Sequence, residues 1–142
     1  QGYLKTLLAL VDEDTAAFNR IMDAFKLPKG TDEEKAARSA AIQDATLYAT
    51  EVPLRTMKAA FEVFPLVKAM AETGNPNSVS DAGVGALAAR SAVLGAYLNV
   101  KINAAGLKAR QKADAILAEA ADIAAKAEAA EKETLAIVES KI

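Results

Sequence analysis

Alanine accounts for 34 of the 142 residues, and no other feature restricts the fold as strongly. Alanine has the highest helix propensity because it loses no side-chain entropy when it orders. Aromatic residues, which favour strands, make up only 5%. This composition predicts an all-α protein. The spacing of apolar residues agrees. Leu4, Leu7, Leu8, Val11, Thr15, Phe18, Met22 and Phe25 recur at three- and four-residue steps, which predicts one face of a long helix.

Local signals place the remaining helices. Leu27-Pro28-Lys29-Gly30 closes the first, and Thr31-Asp32-Glu33-Glu34 reads as a capping box that opens the second. The second is expected to run to about Glu51, where Pro53 either kinks it or starts a third helix at its first position. That third helix passes Met57, Phe61 and Phe64 and ends at Thr73-Gly74, with a kink expected at Pro65. A fourth is expected from about Ser78 to Asn103. A fifth, rich in Ala, Glu and Lys, follows from about Lys108 to Ser140. No internal repeat of 20–50 residues emerges, which disfavours a solenoid. The expectation is a single-domain helical bundle of about five helices spanning residues 1–142. Such a length buries roughly 70% of the unfolded chain's surface. The chain begins at Gln1 inside an established helical pattern, so the domain is read as N-terminally incomplete.

The fourth helix raises the question of a membrane span. Ala82 to Val100 carries one charge, Arg90. Arginine at mid-bilayer costs about 2.5–3.5 kcal/mol even on the lenient insertion scale, and Ala and Gly supply little drive to insert. Gly85, Ala89, Ala92 and Ala96 are instead read as a small-residue seam that lets neighbouring backbones approach. The segment is expected to be the buried central helix of a bundle that does not enter a membrane.

Two absences narrow the chemistry. There is no cysteine and no histidine. This rules out disulfides, thiolate nucleophiles, imidazole bases and metal sites built on either residue. Acid–base work falls to Asp, Glu, Lys or Tyr. The net charge of −2 with interspersed signs argues against nucleic-acid binding. The absence of cysteine fits a cytoplasmic location.

Three groups of residues are candidates for function. Asn75-Pro76-Asn77-Ser78-Val79-Ser80-Asp81 reads structurally as a turn with Ser78 or Ser80 as helix cap. Functionally, its free N–H groups would hold an anionic ligand while Asp81 acts as acid or base, although Asp81 would itself repel an anion. Asn99 and Asn103, four apart, extend the small-residue seam. Their amides need partners, either neighbouring backbone or the edge of a hydrogen-bonding heterocycle. In the acidic run Asp12-Glu13-Asp14, Asp14 shares a stripe with Phe18 and Met22, so a carboxylate sits one turn from an apolar platform. The alternative is a solvated surface beside ordinary apolar packing. A metal site from carboxylates alone stays open, but the D-x-D spacing lacks the glycine and distal Glu of an EF-hand, and no metal ligand is assigned.

Several of these stretches resemble the cyclodeaminase/cyclohydrolase family of folate enzymes. They are Val11-Asp12-Glu13-Asp14-Thr15-Ala16-Ala17-Phe18, Phe25-Lys26-Leu27-Pro28-Lys29 and Ala49-Thr50-Glu51-Val52-Pro53-Leu54. The strongest are Gly74 to Val84 and Gly95-Ala96-Tyr97-Leu98-Asn99-Val100-Lys101-Ile102-Asn103. The family's N-terminal Pro-Gly-Gly-Gly-Ser-like turn has no counterpart here, and Pro65 is atypical for its third helix. The resemblance implies an all-α domain that forms a homodimer or higher homo-oligomer, binds a tetrahydrofolate derivative as substrate and holds no tightly bound cofactor. It implies conversion of 5-formiminotetrahydrofolate to 5,10-methenyltetrahydrofolate and ammonia, with methenyltetrahydrofolate cyclohydrolysis as the alternative. A catalytically incomplete helical interaction module is the third reading. On this resemblance Asp81 is the expected acid, Asp14 the second choice, and Asn99 and Asn103 orient the pterin. Asn75, Asn77, Ser78 and Ser80 are the other expected substrate contacts.

Overall fold

The computed structural model describes residues 2–142. Gln1, where the mid-helix start was read, lies outside them. The described residues form five α-helices: α1 (Gly2–Lys26), α2 (Asp32–Phe61), α3 (Phe64–Thr73), α4 (Val79–Ala105) and α5 (Arg110–Glu139). One 3-10 turn, Pro76–Ser78, precedes α4. The all-α bundle is therefore as expected. α4 is central, packing against α2, α3 and α5, while α1 packs on α2.

The helix ends follow local chemistry. The Glu34 N–H donates to Thr31 Oγ1 at 3.2 Å, and Glu34 Oε2 accepts from the N–H groups of Thr31 at 3.1 Å and Gly30 at 2.7 Å. Three donors of the α1–α2 turn are thus satisfied by one capping box. Gly74 ends α3 without a left-handed backbone. Glycine is needed there because a Cβ would lie 2.3 Å from the Met70 carbonyl oxygen.

The expected break at Pro53 is displaced. α2 runs through Pro53, and the chain breaks at Glu62–Val63. Pro65 sits in the first turn of α3 instead of kinking a longer helix. A proline there removes an N–H that has no intrahelical partner anyway. Pro53, inside α2, leaves the Ala49 carbonyl without its usual donor four residues on. Asn103 of α4 supplies one, its Nδ2 donating to Ala49 O at 2.7 Å. A side chain from another helix thus makes an interior proline tolerable.

The main core joins Leu54, Met57, Phe64 and Val67 to Ala86, Ala89, Val93, Ala96 and Val100 of α4 and to Ile116, Ala120, Ile123, Ala124 and Ala127 of α5. Small side chains along the α4–α5 contact allow the close backbone approach expected of α4. The buried line is not the proposed seam, however. Ala89 and Ala96 are buried, Gly85 is half-buried and Ala92 is exposed. The opposite side of α4 exposes Val84, Leu87, Leu94, Leu98 and Ile102. Pro76–Ala105 is long and apolar enough to cross a membrane, with a mean hydropathy of 1.2 and a third of its apolar window buried. Its one charge inside the apolar stretch, Arg90, pairs with Glu131 at 3.2 Å and Glu128 at 3.6 Å of α5.

α1 also turns away from expectation. Leu4, Leu8, Val11, Phe18, Met22 and Phe25 are exposed, and the buried residues are Leu10, Ala17 and Ala24. These recur every seven residues, and Leu10 and Ala17 cluster with Ala49, Val52 and Ala59 of α2. Small residues on both helices draw the axes together, which turns the larger side chains outward.

Candidate functional site

α1 and α4 both pack on α2, and a cavity of 170 Å³ opens between them. α1 supplies Asp14, Ala17, Phe18 and Ile21, α4 supplies Asn99 and Asn103, and Ala49 of α2 forms part of the floor. The helical period explains the set. Asp14, Phe18 and Ile21 share one side of α1 at steps of four and three, and Asn99 and Asn103 lie one turn apart on α4. The cavity is too small for a whole ligand, whose sites run to about 300–1,000 Å³, and suits one ring of a larger molecule.

The chemistry of the lining is divided. Phe18 is 62% exposed and offers an aromatic face beside the Asp14 carboxylate one turn away. Asn103 is half-buried, with Nδ2 committed to Ala49 O, so backbone pairing accounts for one of its donors. Its Oδ1 remains as an acceptor. Asn99 is exposed, contrary to the expected buried amide pair, so both ends of its amide are available.

The other expected site residues lie elsewhere. Asp81 begins α4, eighteen residues before Asn99, which is about 27 Å at 1.5 Å per residue. Within one chain Asp81 therefore cannot act on a ring held by Asn99 and Asn103. Asp14 can, because it lines the same cavity. Asn75, Asn77, Ser78, Ser80 and Asp81 are all exposed, and none lines this cavity. The turn is capped by Asn75, whose Oδ1 accepts from the Asn77 N–H at 3.0 Å. Ser78 precedes α4 without a side-chain capping bond, which corrects the expected serine cap.

Beside the cavity, Glu13 faces away from Asp14 and pairs with Arg55, while Tyr48 Oη donates to Glu13 Oε2 at 3.3 Å. The Glu13 hydrogen bond holds the Arg55 guanidinium above its ordinary pKa, against a smaller opposing effect of burial. These contacts brace α1 on α2 and leave Asp14 as the acid in the cavity. Among the described residues, no cluster of three Asp or Glu is placed to hold a metal. The role of Ala49 and the link to Pro53 were missed in the sequence. The signal was present, since a mid-helix proline identifies an unpaired carbonyl four residues earlier.

Residues 1–122 match the family described as formiminotransferase-cyclodeaminase. A methenyltetrahydrofolate cyclohydrolase from Methylorubrum extorquens is 43% identical over all 142 residues, which span 68% of that protein. The formimidoyltransferase-cyclodeaminase of Mus musculus is 40% identical over 97 residues, 68% of this chain and 18% of that one. The crystal structure of formiminotetrahydrofolate cyclodeaminase from Thermotoga maritima aligns with a TM-score of 0.79 at 23% identity. It covers 93% of this chain and 62% of its own, so at that identity it shares the fold.

Proposed function

The chain belongs to the formiminotransferase-cyclodeaminase family, and from that premise we propose a folate enzyme of one-carbon metabolism that hydrolyses 5,10-methenyltetrahydrofolate to the 10-formyl derivative. The observation that carries this reading is the convergence of Asp14, Phe18, Asn99 and Asn103 on one ring-sized cavity. The choice of reaction reverses the order expected from sequence. It is supported by the cyclohydrolase from M. extorquens, which aligns with the entire chain, whereas the mouse cyclodeaminase aligns with 97 residues.

In the proposed mechanism the pterin lies against Phe18, and the Asn99 amide and Asn103 Oδ1 meet its polar edge. Water adds to the methenyl carbon, which lies between two nitrogens and carries a positive charge. Asp14 accepts a proton from that water and returns it to N5 as the N5–carbon bond breaks. The second proton of the water passes to solvent, and the formyl group stays on N10. Positioned acid–base catalysis of this kind contributes about 10²–10⁴-fold. A carboxylate nearby also favours binding of the cationic ring.

Cyclodeamination is the second reading, favoured by the family match and by the mouse relative. There N10 attacks the formimino carbon and gives its proton to Asp14, which passes it to the departing nitrogen so that the carbon–nitrogen bond breaks and ammonia leaves. Holding N10 in line is worth up to about 7–11 kcal/mol when the geometry is ideal. The same proposal includes a cytoplasmic homodimer or higher homo-oligomer without a tightly bound cofactor. The exposed apolar stripes of α1 and α4, which flank the cavity, are consistent with such an assembly. Methenyl absorbance tests the chemistry. Its decay on adding 5,10-methenyltetrahydrofolate supports hydrolysis, and its growth from 5-formiminotetrahydrofolate supports deamination. If neither occurs and calorimetry detects no folate binding, the interaction-module reading replaces both.

A further inference from the structure

We propose that a second cavity, at the end of the bundle where the α1–α2 and α4–α5 turns meet, binds a multiply charged oxyanion. This cavity measures 390 Å³, and its wall includes Lys29, Lys35, Arg38 and Lys108, with Ser39 and Gln43 between them and no acidic residue. Four cations share one concavity in a chain whose net charge is −2. Their mutual repulsion raises the energy of the folded state unless an anion enters.

Nearby acids neutralise only one member of the group. Asp32 pairs with Lys35 at 3.0 Å, and Glu34 is occupied by the capping box. Among the described residues, Lys29, Arg38 and Lys108 have no carboxylate within 4.0 Å. The cavity is also held in shape. Gln43 Oε1 accepts from the Lys108 N–H at 2.7 Å, and Gln43 Nε2 donates to Gly106 O at 3.1 Å, which ties the α4–α5 turn to α2. Lys108 Nζ donates to Ser39 Oγ at 3.0 Å. Half-buried Arg38 donates through Nη2 to Phe25 O at 3.1 Å and lies 5.4 Å from the Phe25 ring centre, which leaves Nη1 for a ligand. A fixed guanidinium, two ammonium groups without carboxylate partners and a hydroxyl form a donor set suited to phosphate or paired carboxylates.

Two sources carry this chemistry. One is a small phosphorylated molecule bound independently of the substrate. The other is the carboxylate end of the folate itself, an option that rests on the folate reading. Ser39 and Gln43 precede Ala49 by ten and six residues, so the two cavities are offset by about 9–15 Å along α2.

Calorimetric titration of the whole protein with inorganic pyrophosphate tests the site. Saturable binding with a Kd near or below about 1 mM is expected, weakening as salt is added. The Lys29→Gln/Lys108→Gln variant changes two exposed side chains. It should bind at least about tenfold more weakly, with no loss of thermal stability in the absence of ligand. Absence of saturable binding, or equal affinity in the variant, overturns the proposal. Competition between pyrophosphate and the folate substrate would support the folate's carboxylates as the anion, and simultaneous binding would support a separate phosphate ligand. Because pyrophosphate binding does not require turnover, a failed folate assay leaves this test intact.

Discussion

Replacing Asn103 with leucine removes the donor that stands in for the N–H missing from Pro53. The side chains are similar in volume, so the loss is chiefly one hydrogen bond, the 2.7 Å contact from Nδ2 to Ala49 O. Ala49 is 5% exposed, so its carbonyl has little access to water as a substitute partner. An unsatisfied buried carbonyl costs about 1–3 kcal/mol, and that is the expected destabilisation. For a chain of this size, each kcal/mol lowers Tm by roughly 3–4 °C. The decisive experiment is a double-mutant cycle. Pro53→Ala restores an N–H four residues after Ala49, so in that background the Asn103→Leu cost should fall below about 1 kcal/mol. Urea unfolding followed by far-UV circular dichroism measures all four proteins, with equal m-values confirming a common transition. If Asn103→Leu costs the same in both backgrounds, to within about 0.5 kcal/mol, Asn103 does not compensate for the proline.

Other substitutions test the site and the packing. Asp14→Asn should lower kcat by about 10²–10⁴-fold with folate affinity nearly unchanged, whereas Asp81→Asn should leave kcat unaltered; steady-state kinetics of the methenyl absorbance distinguishes them. A Cβ at Gly85 would lie 2.9 Å from Val67 Cγ1, while one at Gly95 meets nothing within 4 Å. Gly85→Ala should therefore destabilise by about 1–3 kcal/mol and Gly95→Ala stabilise by up to about 1 kcal/mol in chemical denaturation. Arg90 is 16% exposed, its Nη1 is buried without a partner, and Glu131 beside it is 19% exposed. Arg90→Met alone should cost about 1–3 kcal/mol by stranding Glu131, and Arg90→Met/Glu131→Leu should recover most of it, as read from urea midpoints.

The helices were legible because their determinants are local. Alanine content, three- and four-residue spacing and the Thr31–Glu34 capping box act within a turn or two of chain, so five helices could be read with most ends close to their observed positions. The helix-terminating sequences at Pro28 and Gly74 belong to the same class. Pro53 was misread as a break because the group that tolerates it, Asn103, lies 50 residues away in sequence. The outward face of α1 was misread because periodicity identifies an apolar stripe without saying whether small residues on the neighbouring side will draw the helix closer.

The candidate site divides along the same line. Residue types and spacing singled out Asp14, Asp81, Asn99 and Asn103 as carriers of chemistry, and the family resemblance supplied the reaction class. Which carboxylate shares space with the amides is a matter of helix packing. Asp81 and Asn99 occupy one rigid rod and are kept about 27 Å apart by its rise. Asp14 belongs to another helix, and it reaches the amides because α1 and α4 both lie on α2. Local sequence determined which segments are helical and where most of them stop, through forces that fade within a few residues. Only the tertiary structure decided which acid meets which amide, because that distance depends on how separate helices stack.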